Sequence, residues 1–203
     1  MKGGKFIVIE GVEGAGKSRQ CRLLTDALND MGVPAICTRE PGGAPLAEAV
    51  RKLLLDPEYA PDAVTELYLY SAARRDHLKS VVFPALDDGK VVVCDRFIYS
   101  TLAYQGYGRG LDLQFIRRVN ESTILPLKVD LGLFLDVPPE AGFKRKGGAD
   151  SGDRLERENL EFFNRVYNGF KQMCEDNELI KIDASGAKEQ TAANILSAVR
   201  GIL

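Results

Sequence analysis

Gly11-Val12-Glu13-Gly14-Ala15-Gly16-Lys17-Ser18, directly after the apolar run Phe6-Ile7-Val8-Ile9, fills every position of G-x-x-x-x-G-K-[ST]. The pattern reads as a phosphate-binding loop. Its glycines let backbone N–H groups turn inward around phosphate oxygens, Lys17 reaches the outer phosphates, and the Ser18 hydroxyl serves a Mg²⁺ ion. Context agrees with this. A buried strand precedes the loop, and Arg19 to Asp30 carries helical apolar spacing (Cys21, Leu24, Ala27, Leu28), so a helix N-terminus adds its dipole.

Working outward, five β-rich runs alternate with helical stretches: Lys5–Glu10, Pro34–Thr38, Val91–Asp95, Leu131–Asp136 and Leu179–Ile182. They are nearly uniformly apolar, as in Val91-Val92-Val93, which is what burial on both faces of a parallel sheet demands. Helices are expected near residues 18–31, 44–54, 64–87, 112–124, 138–146, 155–177 and 188–201. In the sixth, Phe163, Val166, Tyr167, Phe170 and Cys174 form a core stripe. The fold class is therefore α/β: a three-layer P-loop NTPase arrangement with a five-stranded parallel sheet, helices on both faces and a small lid. Ligands belong at the carboxyl ends of the strands.

At 203 residues the chain is sized for one domain spanning 1–203. The 27 Lys+Arg against 29 Asp+Glu give a net charge of -2, so no basic field invites nucleic acid or an anionic membrane. Cys21, Cys37, Cys94 and Cys174 are scattered, favouring reduced, mostly buried thiols in a cytoplasmic setting. No run approaches the roughly 20 apolar residues of a membrane span, and the start leads into a strand rather than a signal peptide.

The third strand ends in Asp95-Arg96. Asp95 is placed for the Mg²⁺ shell, and arginine follows it where many hydrolytic ATPases carry a water-polarising glutamate. No Asn-Lys-x-Asp signature reads guanine. Arg96 suits a second anionic group beside the γ-phosphate, so the acceptor reads as a phosphate. A phosphate monoester, with a second pKa near about 6, needs no general base, in keeping with the single histidine, His77, read as a surface or helix-packing residue. Further cations stand at Arg39, Arg51, Arg74, Arg75, Lys144, Arg145, Lys146 and Arg154, the last four flanking a glycine-rich interval read as a mobile loop. A solvated face would account for each of them taken alone. Two other readings stay open: a kinase for another nucleotide or a hydroxyl acceptor, and a nucleotide-gated binding module.

The ordered motifs Gly-x-Glu-Gly-Ala-Gly-Lys-Ser, Thr38-Arg39-Glu40-Pro41-Gly42-Gly43, Ala72-Ala73-Arg74, Asp95-Arg96, Ser100-Thr101-Leu102-Ala103-Tyr104-Gln105-Gly106, Leu133-Phe134-Leu135-Asp136-Val137-Pro138-Pro139-Glu140 and Ile182-Asp183-Ala184 resemble the bacterial thymidylate kinases, end to end. The resemblance implies Mg²⁺-dependent transfer of the ATP γ-phosphoryl to dTMP by a homodimer with the nucleoside-monophosphate-kinase fold. By the same resemblance, residues 11–18 hold ATP and Ser18 with Asp95 serves the metal. Tyr70 lies against the thymine, with Arg74 at its O4 edge and Thr101 and Gln105 near the remaining polar edge. Arg96, Arg51 and the Arg39-Glu40-Pro41 segment surround the acceptor phosphate and sugar, Glu13 lies near the 3′-hydroxyl, and Tyr104 occupies the space a 2′-hydroxyl needs. With Glu13 and Ala15 in the loop, the lid at about 144–154 supplies the catalytic cation beside Lys17 and Arg96. Arg145 and Arg154 are favoured because a guanidinium grips phosphate bidentately.

Overall fold

The computed structural model describes residues 3–146, 154, 155 and 157–203, the side chain of Lys146 excepted. The glycine-rich stretch expected as a loop, 147–153, lies outside the described residues. Strands β1 (Lys5–Glu10), β2 (Ala35–Arg39), β3 (Val91–Asp95), β4 (Leu131–Asp136) and β5 (Ile180–Asp183) form one sheet in the order β2-β3-β1-β4-β5. Every pairing is parallel, with Ile9 opposite Asp95 on one side of β1 and opposite Leu133 on the other. The α/β expectation holds, and its strand limits shift by one residue at β2 and β5.

The three inner strands are buried almost throughout, but β2 and β5 are largely open, so uniform burial does not extend to the edges. An edge strand has a neighbour on one side only, and polar Thr38, Arg39 and Lys181 meet solvent there. For the same reason the thiols are not mostly buried: Cys21 and Cys94 are, Cys37 on β2 is exposed and Cys174 is intermediate.

Helices α1 (Lys17–Asp30) and α9 (Lys188–Arg200) cover one face with Cys21, Leu24, Leu28, Ile195 and Val199 packed on Ile7, Ile9 and Leu133. The other face carries α2 (Pro45–Leu55), α3 (Ala63–His77), α4 (Phe83–Asp87), α5 (Ile98–Thr101) and α6 (Leu113–Ile124), followed by α7 (Pro139–Lys146) and α8 (Leu160–Glu175). The stretch expected as one helix over 64–87 is helical throughout, with a π-helical insertion at Leu78–Val82 between α3 and α4. The sixth expected helix starts five residues late: Asn159 accepts from the Phe162 N–H at 2.8 Å and caps α8, while Arg154 and Leu155 form a turn. Its stripe is core as expected, with Phe163, Val166 and Phe170 fully buried.

One helical stretch was not expected. It comprises α5 itself and Leu102–Gly108, which continues α5 as a π-helix although its small, aromatic and glycine residues show no helical period.

Candidate active site

The carboxyl ends of β1 and β3 lie side by side, so the loop after β1 and the Asp95-Arg96 turn after β3 converge. In the phosphate loop, Gly14 and Gly16 have φ of 74° and 93°. A Cβ on Gly14 would meet the Gly142 carbonyl oxygen at 2.0 Å, so α7 packs backbone against the loop. Lys17 is buried and its Nζ donates to the Val12 carbonyl at 2.9 Å. Burial, then the charge of Arg96, lowers its pKa; Glu13, Asp95 and Glu10 oppose the shift.

The Ser18 hydroxyl donates to Asp95 Oδ2. An all-oxygen pair of hydroxyl and carboxylate beside a phosphate loop fits Mg²⁺, which takes few protein ligands and keeps water and phosphate oxygens. Among the described residues no cluster of three or more His, Cys, Asp or Glu offers a self-contained metal cage.

Arg96 joins the loop to a second cavity. It adopts φ of 70°, an unusual conformation for a side-chain-bearing residue. Its guanidinium donates to the Gly11 carbonyl at 3.0 Å and Ser100 Oγ at 3.2 Å, pairs with Glu13, and lies 5.1 Å from the centre of the Tyr104 ring. Burial works against its charge, but Tyr104, Glu13, Asp95 and Glu10 together hold its pKa well above the usual arginine value.

Glu10, a carboxylate at the end of the apolar β1, was missed by the sequence reading. It is fully buried and accepts from the N–H groups of Phe97 and Ser100 at 2.8 and 3.0 Å and from the Ser100 hydroxyl, bracing the turn that carries Arg96. Burial pushes its carboxyl up from 4.5 to about 7, against the opposing hydrogen bonds and Arg96. Between those values the folded chain holds a proton that the unfolded chain has shed. Stability from this group is therefore full below 4.5 and declines as pH rises through 7. Thermal unfolding of wild type and Glu10→Gln from about pH 5 to about pH 8 checks this: the wild type is expected to lose ground to the variant as pH rises. A gap independent of pH would refute it.

The second cavity is lined by Glu13, Glu40, Pro41, Arg51, Tyr70, Arg74, Arg96, Thr101, Tyr104 and Gln105, with Leu55, Phe97, Ser100 and Leu155 completing the wall. Ten residues proposed from sequence thus meet in one place. Arg39 does not join them; its guanidinium is turned to Glu48 at 2.9 Å on the exposed edge. Arg51 donates to the Pro41 carbonyl at 2.9 Å. Arg74 is 2% exposed and donates to Glu40 at 2.7 Å and to Asn120 and Thr101 at 2.9 Å each. His77 is a packing residue held by Thr38 and Glu40 and is 0% exposed, not at the surface. Burial raises the pKa of both Tyr70 and Tyr104, so both present neutral phenols. The Tyr104 hydroxyl has no hydrogen-bond partner among the described residues.

A separate cleft runs from Gly14, Ala15 and Gly16 past Arg19 and Gln20 to Lys188 and Thr191. The two favoured lid cations stand apart. Arg145 lines this cleft and donates to the Ala184 and Ser185 carbonyls at 2.9 and 2.8 Å. Arg154 lines neither; next to Leu155 of the other cavity's wall, it donates to the Leu54 carbonyl at 2.9 Å and pairs with Glu66.

The sequence pattern of the family described as "Thymidylate kinase" matches residues 9–195. A thymidylate kinase of Synechococcus sp. (strain JA-2-3B'a(2-13)) is 48% identical over 198 residues, covering 96% of this chain and 93% of that protein. Another, from Halothermothrix orenii, is 45% identical over 203 residues, 98% of each chain. The crystal structure of thymidylate kinase from Ehrlichia chaffeensis matches with a TM-score of 0.76 at 33% identity, over 97% of this chain and 99% of that one.

Proposed function

The chain belongs to the thymidylate kinase family, and from that premise we infer that it transfers the γ-phosphoryl group of ATP to dTMP, giving dTDP and ADP. The observation that carries this reading is Arg96, which touches the phosphate loop at Gly11 and lines the neighbouring cavity. A triphosphate on the loop and a monophosphate in the cavity would meet end to end across it.

The acceptor's phosphate already presents an anionic oxygen, so no base has to remove a proton; this agrees with a buried His77 tied to Glu40. Lys17 and the loop N–H groups would hold the donor's outer phosphates, and Arg96 and Arg51 the acceptor phosphate. The protein's contribution is alignment and cancellation of charge. Mg²⁺, held by Ser18 and Asp95, would supply further neutralisation of the phosphate oxygens. Tyr70 offers the thymine a flat neutral ring, with Arg74, Thr101 and Gln105 at its polar edges. Glu13 would lie near the sugar, while the Tyr104 wall would exclude a 2′-hydroxyl.

Residues 11–18 would take ATP, with its base in the cleft beside Arg145 and Gln20. Arg145 and Arg154 remain the lid's cations for the transferring group, approaching from opposite sides. Glu40 and Pro41 shape the acceptor cavity; Arg39 reaches it only by leaving Glu48. The whole chain would act as one nucleoside-monophosphate-kinase domain with its lid at about 144–154. Exposed Leu46, Leu53, Val64 and Tyr68 on α2 and α3 support pairing of two copies. A cytoplasmic setting fits the absence, among the described residues, of any helix long and apolar enough to cross a membrane.

A coupled ADP-release assay over dTMP, dUMP, dCMP, dAMP, dGMP and UMP tests the reading. The highest kcat/KM is expected for dTMP, and a purine monophosphate in first place would remove the base assignment.

A further inference from the structure

Glu66, on α3, is 1% exposed and is absent from the walls of both cavities, yet three side chains converge on it. Gln105 Nε2 donates to its Oε1 at 2.6 Å. Arg109 approaches both oxygens at 3.4 Å, and Arg154 pairs with Oε2. Arg109 in turn holds Glu158, just before the Asn159 cap of α8. A buried carboxylate with guanidiniums beside it offers only acceptor oxygens. Gln105 has one donor end and one acceptor end, and only the donor end can face such a partner. With its Nε2 turned to Glu66, the acceptor that Gln105 can offer the cavity it lines is its carbonyl oxygen.

We propose that Glu66 is a positioning residue for base selection: by taking the Gln105 amide N–H it fixes Oε1 as the group offered to the acceptor base. An oxygen there accepts from the N3–H of thymine. It faces a lone pair if the base is 5-methylcytosine, whose N3 is an acceptor although its outline is nearly the same. The proposal rests on the dTMP reading above and adds to it the origin of discrimination at N3. Recognition by Gln105 alone would be ambiguous, because a free amide can turn over and satisfy either base.

The test compares kcat/KM for dTMP and 5-methyl-dCMP on the full chain. Glu66→Gln keeps the side-chain volume but can hand Gln105 either an oxygen or an NH₂. The ratio favouring dTMP is expected to fall about tenfold, the worth of one misdirected neutral hydrogen bond. Glu66→Asp, still acceptor-only, is expected to keep the ratio even if both rates drop. In a Gln105→Leu background, Glu66→Gln is expected to leave the ratio unchanged, since Glu66 acts through Gln105. If Glu66→Gln lowers both kcat/KM values in parallel and spares the ratio, Glu66 only holds the fold and the proposal is overturned. Should Glu66→Gln fail to fold, Gln105→Leu alone decides: its ratio falls if Oε1 reads N3–H, and an unchanged ratio overturns the proposal. Absence of dTMP turnover by the wild type would instead sink the underlying reading.

Discussion

Lys17→Met is expected to lower kcat by roughly 100- to 1,000-fold while dTMP binding and the melting temperature hold or the latter rises. The two effects have one origin. Lys17 is 6% exposed, with its Nζ resting on the Val12 carbonyl, and burial together with Arg96 drives its pKa down. A cation kept there costs folding stability, and methionine fills a similar volume without that cost. What methionine cannot do is follow the γ-phosphoryl group as its charge redistributes during transfer. Steady-state kinetics, calorimetric titration with dTMP and thermal unfolding measure the three quantities separately. Undiminished kcat would take the lysine out of the chemistry; a large fall in melting temperature would contradict the account of its burial.

Arg96→Ala is expected to cost about 100-fold or more in kcat/KM for dTMP while changing ATP affinity far less. Arg96 is held from several sides, by Gly11, Glu13, Ser100 and the Tyr104 ring, and Glu10 braces the turn beneath it. So many contacts on a residue at φ 70° fix a guanidinium where the acceptor cavity opens toward the loop. Arg96→Lys is expected to recover little, because an ammonium cannot span two phosphate oxygens in the planar fork that arginine provides. Equal weakening of ATP and dTMP would mean that Arg96 merely shapes the loop.

Much of this was legible from residue order. The phosphate loop and the Asp95-Arg96 turn sit on strands whose uniform apolarity announces a parallel sheet, and that topology carries the two to the same edge. The grouping of Tyr70, Arg74, Thr101 and Gln105 was legible for a different reason: their motifs resemble a family, and the four do line one cavity. The unread parts are those that depend on distant partners. Glu66 looks like an ordinary acid in a first helical turn, and only the fold brings Gln105, Arg109 and Arg154 to it. Glu10 left one trace, a carboxylate closing an otherwise apolar strand, with no hint that Phe97 and Ser100 would satisfy it. The π-helical run from Leu102 to Gly108 has no periodic signature, because its shape is set by packing on α8.

The central claim is that two nucleotides are held end to end and exchange a phosphoryl group directly. Purified protein supplied with ATP labelled on its γ-phosphate, Mg²⁺ and dTMP is predicted to place the label in dTDP, one equivalent for each ADP formed. Label accumulating in inorganic phosphate or on the protein itself, with dTMP left unmodified, would contradict it.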